Sequence, residues 1–147
     1  MYKRILVATD GSELSQKAID SALSLGASLG AEVVALKVVT PYPVSYFEGG
    51  MALDMKEIGR IEEGWSAKAQ AELDKVKATG QAKGVNVTAL VVHSDVVSET
   101  VIAQAKKQHC DLIVMASHGR RGMARMLLGS ETQHVLTHSH IPVLVLR

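Results

Sequence analysis

Residue types and spacings that could do chemistry gather in two stretches. The first is MASHGRRGMARMLLGSETQ at positions 115–133, which continues the apolar run CDLIVM. A plain turn from a strand into a helix takes about two to six residues. This segment is longer, and it holds Gly119, Gly122 and Gly129, a Ser-His pair, and Arg120, Arg121 and Arg125. Gly119 is followed by nine residues and then Gly129-Ser130. Glycine lets a backbone come close to a ligand. Ser130, Glu131 and Thr132 stand where a helix would open, and its free N–H groups and positive dipole end favour an anion. A bend around Gly119 would turn more N–H groups inward, and arginine suits phosphate. The pattern points to a phosphate cradle built from two separated backbone pieces. The plain alternative is a glycine-bearing loop with solvated arginines.

The second stretch is Thr9-Asp10-Gly11-Ser12. Asp10 is either a site residue or a turn residue beside Gly11. A phospho-acceptor role, as in response-regulator receivers, would need an acidic pair there and a lysine after the last strand. The sequence offers one acid and ends in Arg147. His118 would donate to a phosphate or face solvent. His134, His138 and His140 form H-x3-H-x-H, whose first pair has metal-ligand spacing. Histidines near a helix C-terminus also suit its dipole without a metal. Cys110 reads as a small core residue. Neither G-x-x-x-x-G-K-[ST] nor a G-x-G-x-x-G after the first strand occurs, which argues against a P-loop enzyme and a dinucleotide fold.

These stretches must be positioned by the elements around them. Arg4 to Thr9 is a short apolar run that suits a parallel strand covered on both faces. Ser12 is a plausible N-cap for a helix with Leu14, Ala18, Ala22, Leu25 and Leu29 on one stripe, and Gly30 stops it. Glu32 to Val39 is a second strand. Thr40 to Lys56, with two prolines and two glycines, reads as a long loop. A long helix follows, with Ile58, Ile61, Trp65, Ala69, Leu73 and Val76 inward, ended by Gly80 and Gly84. Val85 to His93 is a third strand, Ser98 to His109 a helix, Asp111 to Ala116 a strand, Gly129 to Ser139 a helix, and Pro142 to Leu146 the last strand. Such alternation predicts a parallel sheet with helices on both faces. Ligands in such sheets bind beyond the carboxyl ends of the strands, where the strand order reverses.

The 147 residues suit one domain, and 47% apolar content supports a globular core. Aromatics are only 3%, so packing must rest on Val, Leu, Ile and Ala. A formal net charge of +1 gives no ground for a nucleic-acid partner. One cysteine excludes an internal disulfide and fits a reducing compartment. The N-terminus has no signal-peptide pattern, and no apolar run approaches membrane-spanning length. A soluble, cytoplasmic chain is expected.

Over essentially its whole length, residues 1–147, the sequence resembles the universal stress proteins. The resemblance is carried by RILVATDGSELSQKAID at the start, by DLIVMASHGRRGMARMLLGSETQHVLTHSHIPVLVLR at the end, and by the strand-helix order between. The ATP-binding branch of that family has Gly, two residues, Gly, nine residues, then Gly-Ser or Gly-Thr. Gly119, Gly129 and Ser130 match, and Ala116 stands at the first glycine. The resemblance implies an α/β, Rossmann-like, open five-stranded parallel sheet of order 3-2-1-4-5. It implies that Asp10 sits near the ribose or base, flanked by Ala8 and Thr9, and that Val38 offers backbone groups to adenine. It implies that Met115 and Ala116 line the base and sugar, and that Gly119, Arg120, Gly129, Ser130, Glu131 and Thr132 hold the phosphates, mostly through backbone N–H. Any Mg²⁺ would be held through the phosphates rather than by protein side chains.

The expected function is ATP binding in stress signalling, with at most slow hydrolysis and no true enzyme activity. Two alternatives stand beside it: a protein of this fold that binds no nucleotide and acts through protein contacts, and a genuine ATP hydrolase or phosphotransferase. With the family's strand order, the apolar last strand lies at a sheet edge, which predicts a homodimer through residues Pro142–Leu146.

Overall fold

The computed structural model describes residues 1–43, 55–119 and 128–147. The strands are β1 (Arg4–Ala8), β2 (Glu32–Val39), β3 (Val87–His93), β4 (Leu112–Ala116) and β5 (Val143–Leu146). The helices are α1 (Glu13–Leu29), α2 (Met55–Ala82), α3 (Val97–Lys107) and α4 (Ser130–His138). The sheet runs β3-β2-β1-β4-β5, and every pair is parallel. Most of the loop expected over Thr40–Lys56 lies outside the described residues, as do Arg120, Arg121, Gly122, Met123, Arg125 and Met126.

Strand residues alternate between two apolar layers. Ile5, Val7, Val33, Ala35, Leu112 and Val114 pack under α1 and α2 with Ala18, Leu23, Leu73 and Val76. Leu6, Val34, Leu36, Ile113 and Met115 pack under α3 and α4 with Val101, Ala105 and Val135. This double cover is why the central strands read as continuous apolar runs rather than alternating ones. No described helix is long and apolar enough to cross a membrane.

The ends of α1 follow local chemistry. Ser12 accepts the Ser15 N–H at 3.2 Å as N-cap, and Gly30 closes the helix in the left-handed region at φ 67°. The buried face of α1 differs from the expected stripe. It consists of Ser15, Ala18, Ile19, Ala22, Leu23 and Gly26, while Leu14 and Leu25 are half-buried and Leu29 is exposed.

Gly80 departs further from expectation: it lies inside α2, not at its end, and is buried against β3. A Cβ there would collide with Val87 Cγ2 and sit 3.3 Å from Leu23 Cδ2. The first half of α2 runs past the core. Ile58 and Ile61 are half-buried, and Trp65 is exposed except where it stacks on Tyr42 at 5.9 Å. Ser94, Asp95 and Val96 separate β3 from α3, which begins at Val97 rather than Ser98.

At the amino ends of the strands, the Asp111 carboxylate accepts the N–H groups of Lys3 (2.9 Å) and Arg4 (3.1 Å). Beside it, burial pushes the Cys110 thiol up from 9.0 to about 11, with Arg4 pulling it down and Asp111 adding a smaller push upward. The fold therefore disfavours the thiolate, and the unfolded chain gives up this proton first. The stability this group contributes is complete below pH 9 and is lost as pH rises towards 11. At pH 8, iodoacetamide is expected to label the native protein far more slowly than the denatured chain, and Cys110→Ala should lessen the alkaline loss of stability. Equal labelling of both states would contradict this.

Candidate functional site

The strand order reverses between β1 and β4, so their carboxyl ends open a crevice. On the β1 side, the Thr9 N–H donates to Leu36 O at 3.0 Å and ends the strand. Thr9 Oγ1 accepts the Gly11 N–H at 3.2 Å and lies 3.0 Å from Ser15 Oγ. Asp10 Oδ1 accepts the Ser12 N–H at 2.9 Å, an Asx-turn that fixes the carboxyl group. Asp10 is thus the turn residue its type suggests, but its other oxygen lies over Gly119. A Cβ at Gly119 would collide with Asp10 Oδ2. The two stretches singled out in the sequence therefore meet.

On the β4 side, the Ser117 N–H donates to Leu146 O and the Gly129 N–H donates to Ser117 O, both at 2.7 Å. Gly129 has φ −58° and ψ 149°, which any residue adopts. Its lack of a side chain matters for another reason. A Cβ there would stand 3.3 Å from His118 Cα and 3.4 Å from Ser117 O. Glycine lets the start of α4 close on the exit of β4. His118 is half-buried, its Nδ1 3.1 Å from Ser117 Oγ. Ser117 was not among the expected site residues, yet it joins the two halves. Only its place between Ala116 and Gly119 could have signalled that.

Among the described residues, no side chain caps the N-terminus of α4. The N–H groups of Ser130, Glu131 and Thr132 have no acceptor within the helix, and the dipole adds partial positive charge. Two side chains here are committed elsewhere. The Thr132 hydroxyl donates to Ala116 O at 2.9 Å in a buried bond. The Glu131 carboxylate accepts the Ser98 N–H of α3 at 2.7 Å. That leaves the backbone N–H groups and the exposed Ser130 side chain to meet a ligand.

A further opening lies beside β1. That strand ends its pairing at Ala8 opposite Leu36, whereas β2 goes on to pair Val38 with Val92 and Val39 with His93. Val39 O accepts the Ser94 N–H on the β3 side. Alternation then turns the N–H and C=O of Val38 towards β1, where no strand residue stands opposite. Ala8, Val38 and Met115 belong to the α3/α4 face with Leu90 and Val92. Ala116 alternates to the α1 face, with Leu112 and Val114. On that face a groove of about 260 Å³ between α1 and α2 shares Thr9 and Gly11, with Gln16, Glu72, Lys75 and Thr79 at its walls. Arg120 lies outside the described residues. His134 and His138 stack face to face, ring centroids 4.0 Å apart, with His138 Nδ1 2.9 Å from His134 O; His140 is exposed. Among the described residues, no three His, Cys, Asp or Glu side chains converge as metal ligands.

The family model described as the Universal stress protein family matches residues 1–147. The chain belongs to the universal stress protein family. It is 35% identical to the universal stress protein MJ0531 of Methanocaldococcus jannaschii, over 100% of this chain and 83% of that one. Its fold superposes on that of universal stress protein UspA from Lactobacillus plantarum with a TM-score of 0.86 at 25% identity, covering 99% of this chain and 98% of the other. It also superposes on a universal stress protein crystallised in complex with cAMP, with a TM-score of 0.71 at 25% identity, covering 99% and 97%. The five-stranded sheet with its 3-2-1-4-5 order is thus the family's α/β fold.

Proposed function

We propose that this universal stress protein, a single domain over residues 1–147, binds an adenine nucleotide, ATP first among them, in the crevice between β1 and β4. One observation carries the reading: the first turn of α4, which no described side chain caps, is drawn against the β4 exit by the Gly129–Ser117 bond. The N–H groups of Ser130, Glu131 and Thr132 would hold phosphate there, with Gly119 and His118 at the other wall; the role expected of Arg120 falls on a residue outside those described. Asp10 and Thr9 would sit by the ribose, and Ala8, Val38 and Met115 by the base. The Val38 peptide edge suits the donor and acceptor edge of adenine. Ala116 is compatible with this, because its methyl lies on the α1 face while the base side is lined from the other. Mg²⁺ would arrive with the phosphates. A family member in complex with cAMP is consistent with an adenine ligand.

The role proposed is binding and signalling in the cytoplasm, with at most slow hydrolysis. Ser66 Oγ lies 3.0 Å from both Glu62 O and His93 Nε2, so the backbone carbonyl competes with the imidazole for its one proton. To test the reading, the purified protein is denatured and released ATP, ADP or AMP is identified by absorbance and mass. Mg-ATP at a hundredfold excess over Kd should add about 2.7 kcal/mol to stability, a shift of several degrees in Tm. No released nucleotide together with no shift at millimolar Mg-ATP would sink it.

A homodimer through β5 belongs to the same proposal. That strand is a sheet edge, Leu144 on it is 41% exposed, and Val143, Val145 and Leu146 are half-buried. An apolar free edge of this kind invites a second strand. Sedimentation at micromolar concentration is expected to give a dimer, and Leu144→Lys a monomer. A wild-type monomer would refute it.

A further inference from the structure

Two helix N-termini open at the same edge of the sheet, α3 after β3 and α4 after β4, and they differ in what faces them. The N-cap position of α3 is Val96, which offers no side-chain bond. The chain fills that end with a residue 33 positions away, Glu131, whose carboxylate takes the N–H of the buried Ser98 at 2.7 Å. A carboxylate on a helix N-terminus is favoured by the dipole and by a charge-assisted bond.

The same bond acts on α4, because Glu131 lies in its first turn. That turn has three anchors in three directions. The Gly129 N–H holds Ser117 O, the Thr132 hydroxyl holds Ala116 O, and the Glu131 carboxylate holds α3. The first two attach it to the end of β4, buried Val135 packs the helix against Val101 and Ala105 of α3, and the third ties its first turn to the N-terminus of α3. It also settles where a negative charge goes: turned towards the cradle, the carboxylate would repel phosphate.

We infer that Glu131 is a positioning residue for phosphate. Anchored on the Ser98 N–H, it sets the angle at which the Ser130, Glu131 and Thr132 N–H groups meet a nucleotide and keeps its own charge out of their way. This rests on the nucleotide reading above. Glu131→Gln and Glu131→Ala remove the same charge and differ in whether an acceptor remains, so their difference isolates the tether.

Titration of the full chain with Mg-ATP and with adenosine supplies the readout. Glu131→Ala is expected to bind Mg-ATP about fivefold more weakly than Glu131→Gln, the worth of one helix cap. Adenosine, which carries no phosphate, should bind both equally. In the free protein, the Ser98 amide proton should move upfield in Glu131→Ala and recover part of its shift in Glu131→Gln. Equal Mg-ATP affinities in the two variants, or parallel losses for Mg-ATP and adenosine, would overturn the positioning role. A Ser98 amide unmoved by Glu131→Ala would overturn the tether. If wild type binds no adenine nucleotide at all, the parent reading fails and the phosphate role with it, whereas the amide shift would still report the bond to Ser98.

Discussion

On the proposed reading, Gly129→Val is expected to cost at least about tenfold in Mg-ATP affinity, the scale of an overpacking penalty, while leaving the proposed β5-mediated dimer intact. The backbone angles at Gly129 suit valine, so the effect is not conformational strain. It comes from contact. A Cβ would already stand 3.3 Å from His118 Cα and 3.4 Å from Ser117 O, both backbone atoms that cannot swing aside. Valine adds two more methyl groups. The start of α4 must then back away from β4, stretching the 2.7 Å Gly129–Ser117 bond and parting the halves of the cradle. Gly129→Ala should fall between wild type and valine, since a shift of a few tenths of an ångström relieves it. Isothermal titration of the three proteins decides the matter, and an unchanged Kd for the valine variant would sink this account of the cradle.

Gly80→Val is expected to be the most damaging substitution in α2, at about 3 kcal/mol or more of stability. Its Cβ would collide with Val87 Cγ2 and press on Leu23 Cδ2 and Val85 O. Val87 is held in β3 by its pairing with Val33, and Leu23 is wholly buried, so neither can readily give way. Gly59, in the same helix, has nothing within 4 Å of its Cβ position. Gly59→Ala should therefore stabilise by about 0.5–1 kcal/mol through helix propensity. Thermal or urea unfolding reads both signs. If Gly80→Val melts with wild type, β3 does not depend on close approach of α2.

These two glycines mark what the sequence could and could not disclose. The alternation of strands and helices is visible in the chain because each element obeys a local period. Ser12 and Gly30 announce the ends of α1 because capping is local too. Gly80 reads as a stop signal until β3 is seen lying against it, since the reason for its lack of a side chain is 7 residues away in Val87 and elsewhere in Leu23. In α1 the expected stripe holds Ala18 and Ala22 correctly but adds Leu14, Leu25 and Leu29, whereas the buried face turns to Ser15, Ile19, Leu23 and Gly26 beside those alanines.

The candidate site divides in the same way. Gly119, Gly129 and Asp10 stand out by type and spacing, and the fold brings them to one edge. Glu131 and Thr132 are expected at the phosphates by their place after Gly129 and by the family resemblance, mostly through backbone N–H, which says nothing of their side chains. Their bonds to Ser98 and to Ala116 depend on how α4 lies on α3 and β4, which no local pattern encodes.

The unequal lengths of β1 and β2 have a consequence for how this protein's ligand preference would evolve. The carboxyl edge of the sheet is a stair: β1 stops at Ala8, and its neighbour climbs on to Val39. On the proposed reading, the base rests on the tread, against the peptide group of Val38. That feature is written in where a strand stops, so exchanging Val38 for another strand-forming residue leaves the peptide edge in place. Lengthening β1 by two residues, to bring Asp10 opposite Val38, would fill the tread and erase it with no change at residue 38. A search for base-reading side chains would pass over such a device, because its specificity lies in a missing stretch of strand.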